Sequence, residues 1–239
     1  MTTLVLGATG ATGKLVVEQL IQQHEHVRLI VRAAENLPAN IRQHEQVTIT
    51  CASVLDLTEQ QLTELVQGCD AVISCLGHNM TIKGMFGHPR RLVTDAIKRV
   101  CQVIQKLKPT KPVKLILMNT TGNQNKAAGE KVSIAHTLVV TLLRLLLPPH
   151  VDNEQAAAYL QNEVTSNSNY IEWVVVRPDS LTNRDQTTPY DVYPSPVRDA
   201  IFNSGETSRI NVAHFMIELI TQPELWKKWK GNLPVIYNR

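Results

Sequence analysis

The sequence predicts a doubly wound α/β fold, in which helices cover both faces of a mostly parallel sheet. Short apolar runs rich in β-branched residues alternate with helical patterns along the 239 residues. The apolar runs are near-continuous instead of alternating, as expected for strands buried on both faces. A glycine-rich turn directly follows the first of these strands. Together these observations indicate a parallel sheet built from strand–helix–strand units.

The predicted elements follow one another without a linker or an internal repeat. The apolar runs predict strands over residues 4–6, 26–31, 47–50, 71–74, 113–118, 171–176 and 234–237. Helical patterns cover residues 14–23, 58–67, 90–106, 130–147, 153–164 and 212–221. We therefore expect a single domain over residues 1–239. Because residues 177–205 are rich in Pro, Asp, Ser and Thr, we expect the segment 177–239 to contribute a loop-rich, substrate-side cap.

Composition excludes several classes of protein. Hydrophobic residues make up 43% and charged residues 19%, which is typical of a globular chain. The net charge of +3 is small and scattered, so we expect no nucleic-acid partner. The four cysteines form no C-x-x-C pair, which predicts buried, reduced thiols in a cytoplasmic protein: Cys51, Cys69, Cys75 and Cys101.

Neither an export signal nor a membrane span is expected. Met1 to Thr3 lead directly into the first apolar strand, without a basic start. The densest apolar run, residues 138–147, is ten residues long and contains Arg144. A bilayer span needs roughly 20 residues.

The glycine-rich turn has the spacing G-x-x-G-x-x-G, with glycines at positions 7, 10 and 13. Gly7 can make the tight turn after the strand, Gly10 lets the backbone approach a pyrophosphate, and Gly13 allows close helix–strand contact. The free amides at the following helix start attract phosphate groups. The turn therefore predicts a dinucleotide site. It is not a nucleotide-triphosphate loop, since Lys14 is followed by Leu15.

The end of the second strand points to the type of cofactor. Arg32 stands where an NAD-binding sheet usually carries Asp or Glu. A guanidinium can bind a 2′-phosphate through paired charge-assisted bonds, so Arg32 favours NADP(H), with Arg28 as a second cation that could assist. Ser53 and Val54 follow the third strand, where they can flank an adenine, and Leu76 and Gly77 follow the fourth.

With these residues the chain resembles the atypical short-chain dehydrogenase/reductases, in particular the NAD(P)H-binding group of NmrA-like proteins and biliverdin IX-beta (flavin) reductases. The resemblance covers nearly the whole chain and rests on residues 7–13, 31–32, 70–77, 173–178 and 208–216. It implies a Rossmann domain that binds NADP(H) through phosphate contacts, with Arg32 on the 2′-phosphate and Ser53 and Val54 at the adenine. The phosphate contacts would come from Thr9, Gly10, Ala11, Thr12 and Gly13. Leu76, Gly77, Thr120, Thr121 and Pro178 would lie toward the nicotinamide half.

The chain departs from the wider superfamily at the proton relay. Most catalytic members carry Tyr-x-x-x-Lys, but here Pro149 stands at the tyrosine position and Asn153 at the lysine position. Candidates for a proton donor or a substrate-orienting group are Thr121, His150 and Asn153, while Asp152 is expected to cap a helix that begins at Asn153. Hydride transfer to a flavin or another conjugated acceptor needs orientation more than a dedicated acid.

Two further segments carry weaker signals. The loop 77–87 contains glycines and apolar residues, which predicts either a cover over a planar substrate or an irregular surface loop. The helix 138–147 is apolar on every face, which predicts a homodimer contact or the wall of an apolar pocket. No metal site is expected, because His24, His26 and His44 lack metal-ligand spacing.

Two functions remain open at this point. The first is an NADP(H)-dependent reductase that acts on a flavin- or quinone-like acceptor without a Tyr/Lys relay. The second is a non-catalytic NADP(H)-sensing regulatory protein of NmrA-like type. The resemblance to flavin reductases favours the first, and the missing relay favours the second.

Overall fold

The computed structural model describes residues 1–78, 81, 84, 86–125, 128–130, 139–142, 144, 146–164 and 168–239. The strands are β1 Thr2–Leu6, β2 His26–Val31, β3 Val47–Cys51, β4 Ala71–Ser74, β5 Val113–Met118, β6 Ile171–Pro178, β7 Ser180–Thr182, β8 Tyr190–Tyr193, β9 Glu206–Ser208 and β10 Val235–Asn238. The helices are α1 Ala11–Gln22, α2 Ala39–Arg42, α3 Glu59–Val66, α4 Leu92–Leu107, α5 Pro148–Tyr159, α6 Arg209–Thr221 and α7 Pro223–Trp229. A 3₁₀ turn spans Ala34–Asn36, and a π-helical turn at Leu160–Val164 continues α5.

The main sheet has the strand order β3-β2-β1-β4-β5-β6-β10-β8, and β7 pairs with β9 beside it. Every neighbouring pair of the main sheet is parallel except β10 with β8. The chain order reverses between β1 and β4, which is where open parallel sheets bind ligands at the carboxyl ends of their strands. This topology confirms the predicted doubly wound Rossmann fold.

Each buried strand supplies side chains to two cores, one on each face of the sheet. Leu4 and Leu6 of β1 pack in the core that includes residues of α3, α4 and α5, whereas Val5 packs in the core that includes residues of α1 and α6. Successive side chains of a strand point to opposite faces. Apolar residues are therefore favoured at successive positions of these strands, which explains the near-continuous apolar runs.

Part of the segment 177–239 belongs to the main sheet and to the helices that cover it. The apolar pair Val235 and Ile236 of β10 lies beside Arg177 and Pro178 of β6, and β8 continues the sheet beyond β10. Helix α6 buries Phe215 in the core on the α1 face. Residues from β8 and β10 and from α6 therefore complete the Rossmann layers, and a substrate-side role of the rest of the segment stays a prediction.

Helix α5 begins at Pro148, five residues before the start predicted from the sequence. Proline is tolerated at the first helical position because that amide has no intrahelical partner. Asp152 and Asn153 therefore lie inside the helix, and the prediction that Asp152 caps this helix was wrong.

Much of the predicted helix 130–147 lies outside the described residues, namely 131–138, 143 and 145. Residues 139–142, 144 and 146 have helical backbone. Val140 is buried, but Leu142 and Leu146 are 54% and 55% exposed. Positions 79, 80, 82, 83 and 85 of the loop 77–87 also lie outside the described residues, so its predicted covering role stays a prediction.

Candidate cofactor site

The glycine turn between β1 and α1 requires glycine at both of its ends. Gly7 has φ +76°, and a Cβ on it would lie 2.5 Å from the Cys75 carbonyl oxygen at the end of β4. A Cβ on Gly13 would collide with the Gly7 carbonyl. The Gly10 amide donates to the Gly7 carbonyl over 3.0 Å and closes the turn. The backbone thus turns tightly against β4, as the sequence predicts.

The start of α1 is open to an anionic ligand. Gly10 is its N-cap, and no side chain from the described residues caps the helix there. The first turn of α1 contains no acidic residue. Backbone amides at a helix start, together with the helix dipole, attract phosphate oxygens.

A crevice of about 270 Å³ lies beside this turn, at the carboxyl ends of β1 to β4. The predicted cofactor residues that line it are Gly7, Thr9, Gly10, Arg32, Ser53, Val54, Leu76 and Gly77. The structure adds Leu6, Ile30, Val31, Ala52, Cys75, His78, Pro89 and Leu92 to its wall. Ala11, Thr12 and Gly13 form the first turn of α1, behind the glycine turn. Thr120 and Pro178 lie outside this crevice, at the ends of β5 and β6.

The charged side chain at the edge of the crevice is the cation Arg32. Arg32 is exposed at its edge and makes no hydrogen bond or ion pair within the described part of the chain. No Asp or Glu is among the lining residues that the structure describes. Burial raises the pKa of the Cys75 thiol to about 12, so this side chain stays neutral as well. Arg32 would therefore attract an anionic group to the crevice, and no carboxylate among the described lining residues would repel it.

Arg28 does not contribute to this site. Its guanidinium donates to the carbonyl oxygens of Leu65 and Gln67, at 3.0 Å and 2.7 Å, beside the C-terminus of α3. A cation at that end satisfies carbonyl groups that have no intrahelical partner. The expectation that Arg28 assists Arg32 was therefore wrong.

Arg99 of α4 holds the loop after β3, which brings Ser53 and Val54 to the wall of the crevice. Its guanidinium donates to the Val54 carbonyl over 3.0 Å and also to the carbonyls of Leu55 and Leu57. No pattern in the sequence indicates this role, because a single arginine on an amphipathic helix also fits an exposed position. Arg99 lies more than forty positions along the chain from the residues whose carbonyls it binds.

The candidate proton donors lie around the start of α5 and the loop after β5, with different partners. The Thr121 hydroxyl is buried and donates to Asp179 Oδ1 over 3.3 Å. The Asn153 carbonyl accepts a hydrogen bond from the Asn119 side chain over 2.8 Å. His150 packs against the loop after β5, where a Cβ on Gly122 would lie 3.3 Å from its Cε1 atom. Of the three, His150 has the titratable side chain.

His150 is in turn held beside a carboxylate. Its Nε2 atom lies 3.4 Å from Glu154 Oε1, one helical turn away. Glu154 also accepts two 2.8 Å bonds from the Arg144 guanidinium. Burial raises the pKa of Glu154, but the His150 and Arg144 side chains together lower it to about 2. Glu154 is therefore a persistent anion beside His150.

Sequence reasoning missed a second acidic group near the site. Asp179 follows Pro178 and accepts hydrogen bonds from the amides of Ser180 and Gly205, each over 2.9 Å. Burial raises its pKa, and these amide bonds oppose the rise. Asp179 thus joins the end of β6 to the segment before β9.

The buried pair of Arg177 and Glu130 was also missed, although the sequence carried a signal for it. Arg177 follows the apolar run 173–176 of a buried strand, and a charged residue there requires a partner. Which residue supplies that partner depends on how the loop after β5 folds back, and no spacing in the sequence specifies that.

His78 and Asp152 form another pair that was not predicted. His78 lines the crevice, and its Nε2 atom lies 2.8 Å from Asp152 Oδ2 on α5. Asp152 accepts hydrogen bonds from the backbone amides of Val93 and Thr94. Asp152 therefore caps α4 rather than its own helix.

The fold and the crevice define an NAD(P)H-binding protein. A family model described as NAD(P)H-binding matches residues 7–223, and the chain belongs to this NAD(P)H-binding family. The resemblance inferred from the sequence is therefore confirmed as membership of an NAD(P)H-binding family. The comparison with curated proteins gave no match.

Solved structures share the fold over nearly the whole chain. A short-chain dehydrogenase/reductase from Veillonella parvula DSM 2008 in complex with NADP is 16% identical, with a TM-score of 0.68 and coverage of 99% of this chain and 94% of that chain. ChuY, an anaerobillin reductase from Escherichia coli O157:H7, is 16% identical, with a TM-score of 0.68 and coverage of 100% and 97%. SP1627, a proposed NADH-flavin reductase from Streptococcus pneumoniae TIGR4, is 18% identical, with a TM-score of 0.67 and full coverage of both chains. At these identities the likeness shows the fold alone.

Two further properties of the described residues bear on other predictions. None of their helices is long and apolar enough to cross a membrane. The cysteines are all free; Cys69 and Cys101 are buried, but Cys51 is exposed, so the prediction of burial was wrong for Cys51.

Proposed function

We propose that the protein is an NADP(H)-dependent reductase of a small conjugated acceptor of the flavin or quinone type. The observation that supports the choice of NADP(H) is the Arg32 guanidinium, which has no partner among the described residues. It lies at the edge of a crevice whose described lining contains no carboxylate. A 2′-phosphate would be bound by charge-assisted hydrogen bonds there, and an acid would repel it. The NADP complex of the structurally similar Veillonella parvula reductase supports this choice.

A dinucleotide would lie along the crevice. The backbone of residues 9–13 would approach the diphosphate, with the amides of residues 11–13 donating to it, and Ser53 and Val54 would flank the adenine. Leu76 and Gly77 would continue the wall toward the nicotinamide half, with Thr120 and Pro178 beyond them. When bound, the reduced cofactor supplies a hydride to the acceptor.

The acceptor class is inferred from two observations. The names of ChuY and SP1627 give an anaerobillin and a flavin as their acceptors, and both are conjugated molecules. In this chain Pro149 has no proton to give and Asn153 has no cationic side chain. A conjugated acceptor delocalises the charge that it receives, so it tolerates the absence of a strong acid better than an isolated ketone does.

His150 is the candidate proton donor in this proposal. The Glu154 carboxylate lies 3.4 Å from its Nε2 atom, and the loop after β5 lies against its ring. Thr121 is a weaker candidate because its hydroxyl already donates to Asp179. Asn153 would serve only to orient a substrate, since an amide does not release a proton.

The test is a titration with NADPH followed by an oxidation assay. Cofactor binding is measured by nicotinamide fluorescence and thermal shift, and oxidation is then followed at the nicotinamide absorbance with FMN, FAD and quinones. Acceptor-dependent oxidation supports the reductase. Absence of NADPH binding would overturn the proposal.

One observation favours a second function, a non-catalytic NADP(H)-sensing protein. Pro149 and Asn153 stand at the two positions where the resemblance places the usual proton relay. Helix α5 itself packs in the same core as α4. Tight NADPH binding without oxidation by any of these acceptors would support this second function over the first.

A further inference from the structure

A second cavity lies at the amino ends of the strands, at the edge of the sheet opposite the cofactor crevice. Its volume is about 500 Å³, within the range of about 300–1,000 Å³ that is typical of small-molecule sites. Residues at the starts of β1, β4 and β5 and near the ends of α3, α4 and α6 line it: Met1, Asp70, Val113, Val66, Leu107 and Ile220. The proposed binding of NADP(H) leaves this cavity without a role.

The wall of the cavity is mainly apolar and is continuous with the folded core. Val66, Ile104 and Val113 are buried in the core that includes residues of α3 and α4, and Ile220 is buried in the core on the other face of the sheet. Side chains packed in a core hold their positions before a ligand arrives. The wall is therefore a preformed surface for the apolar part of a ligand.

Two lysines and one aspartate are the charged side chains in the described lining of the cavity. Asp70 accepts a hydrogen bond from the Thr2 amide over 2.8 Å. Lys111 is exposed and makes no hydrogen bond or ion pair with the residues that the structure describes. Lys114 donates to the Ile220 carbonyl over 2.9 Å, but no described carboxylate forms an ion pair with it. Cations therefore exceed carboxylates in this lining.

Lys114 is the cation that an anionic ligand would stabilise most. Burial lowers the pKa of Lys114, and the carboxylates of Glu172 and Asp70 oppose that shift. Glu172 is itself paired with Lys230 over 2.6 Å. A ligand carboxylate beside Lys114 would replace part of the solvation that burial removes from its ammonium group.

The helix ends at the cavity give the opposite preference, because helix C-termini attract cations. That preference is already met by side chains of the protein. Arg28 binds the carbonyls of Leu65 and Gln67 at the end of α3, and Lys114 binds that of Ile220 near the end of α6. The charge that still lacks a partner in the described lining is that of the lysines.

We propose that this cavity is a second ligand site, for a small amphipathic carboxylic acid. Its hydrocarbon part would lie on the apolar wall, and its carboxylate would meet Lys111 and Lys114. The cavity and the cofactor crevice lie at opposite ends of the same parallel strands. Binding of the acid therefore neither requires nor excludes a bound dinucleotide.

The test is a calorimetric titration of the full chain with decanoate. We expect decanoate to bind, and decyltrimethylammonium, which has the same hydrocarbon chain and the opposite charge, to bind more weakly. We expect the dissociation constant of decanoate to be the same with and without saturating NADPH, since the two sites do not overlap.

Lysine variants locate the site of the carboxylate. Lys114→Met removes the charge and keeps the apolar stem, so it should weaken decanoate binding about tenfold. Lys111→Met should weaken it about twofold to fivefold, because exposed ion pairs contribute less. Lys106→Met is the matched control and should change nothing, since Lys106 is an exposed lysine of α4 outside the cavity, paired with Glu59.

Several results would overturn the inference. These are no binding of decanoate, tighter binding of decyltrimethylammonium, or the same affinity for decanoate in the wild type and in folded Lys111→Met and Lys114→Met. Displacement of decanoate by NADPH would assign decanoate to the cofactor crevice and would also overturn it. Thermal unfolding checks the fold of each variant, and Lys111→Met alone decides the matter if Lys114→Met does not fold. NADPH binding is measured separately, so the proposed function stands or fails independently.

Discussion

Arg177 and Glu130 form a buried, two-pronged ion pair that joins the end of β6 to the loop after β5. Nη2 lies 2.6 Å from Oε1 and Nη1 lies 2.9 Å from Oε2, while Arg177 is fully buried and also donates to the Leu233 and Asn123 carbonyls. The Asn125 amide donates to the same carboxylate over 2.6 Å. The pair thus fixes the loop that carries Thr120 and Thr121 beside the sheet.

Glu130→Gln should destabilise the protein strongly, because it leaves the Arg177 charge buried without its partner. We expect a loss of about 3–5 kcal/mol in the free energy of unfolding, measured by urea denaturation. Glu206→Gln is the matched control, since Glu206 forms an exposed pair with Arg184. A surface pair contributes about 0–1 kcal/mol. Equal losses in the two variants would contradict the assigned role of the buried pair.

Gly13→Ala should abolish NADPH binding, because the added methyl group would collide with the Gly7 carbonyl and open the turn. Nicotinamide fluorescence measures the binding, and circular dichroism checks the fold. Gln22→Ala, at an exposed position near the end of the same helix, is the control. If Gly13→Ala bound NADPH as the wild-type protein does, the turn could not be the phosphate site.

Arg32→Ala should weaken NADPH binding about tenfold to a hundredfold and leave NADH binding nearly unchanged. The reason is the loss of charged hydrogen bonds to the 2′-phosphate, which NADH lacks. Arg42→Ala, at an exposed position in α2, is the control. Parallel losses for both cofactors would show that Arg32 does not select between them.

Glu154 should contribute stability that disappears in acid. Burial raises its pKa, but His150 and Arg144 lower it to about 2 in the folded protein, below the unfolded value near 4.5. A group with a depressed folded pKa stabilises the fold above its unfolded pKa, and this contribution is lost as the pH falls toward the folded pKa. The stability difference between the wild type and Glu154→Gln should therefore shrink between about pH 4.5 and 2. Exposed Glu163 offers the control, Glu163→Gln, and a pH-independent difference for Glu154→Gln would contradict the prediction.

Leu142 and Leu146 should mediate self-association, because both are more than half exposed and lie one helical turn apart. We expect Leu142→Glu and Leu146→Glu to shift a dimer toward the monomer in light scattering. Val197→Glu is the control, since Val197 is a similarly exposed apolar residue elsewhere in the chain. An unchanged oligomeric state in the two leucine variants would count against a dimer contact here.

The sequence predicted the parts of the site that depend on local backbone chemistry. Glycine spacing after an apolar strand is sufficient to locate the turn at Gly7, and the strand ends bring Arg32, Ser53 and Leu76 to one crevice. The chain follows a regular alternation, so each strand end lies at the same edge of the sheet. These residues could therefore be named without a structure.

The polar pairs could not be predicted in the same way. His78 and Asp152 are 74 positions apart, and their contact depends on how α5 lies against α4. Similarly, Arg28 and Arg32 look alike in the sequence, but only the packing of α3 decides that Arg28 binds helix carbonyls. Long-range partners of this kind follow from tertiary geometry, which residue spacing does not encode.

The hydrogen bonds from Arg99 to the loop after β3 should affect the rate at which a ligand binds in the crevice. Three carbonyls of that loop are already bound before any ligand arrives. A loop that is already ordered loses little conformational entropy when a ligand binds to it. Binding also need not wait for that loop to reach its bound conformation. The end of the crevice beside Ser53 and Val54 is therefore already ordered for an incoming ligand.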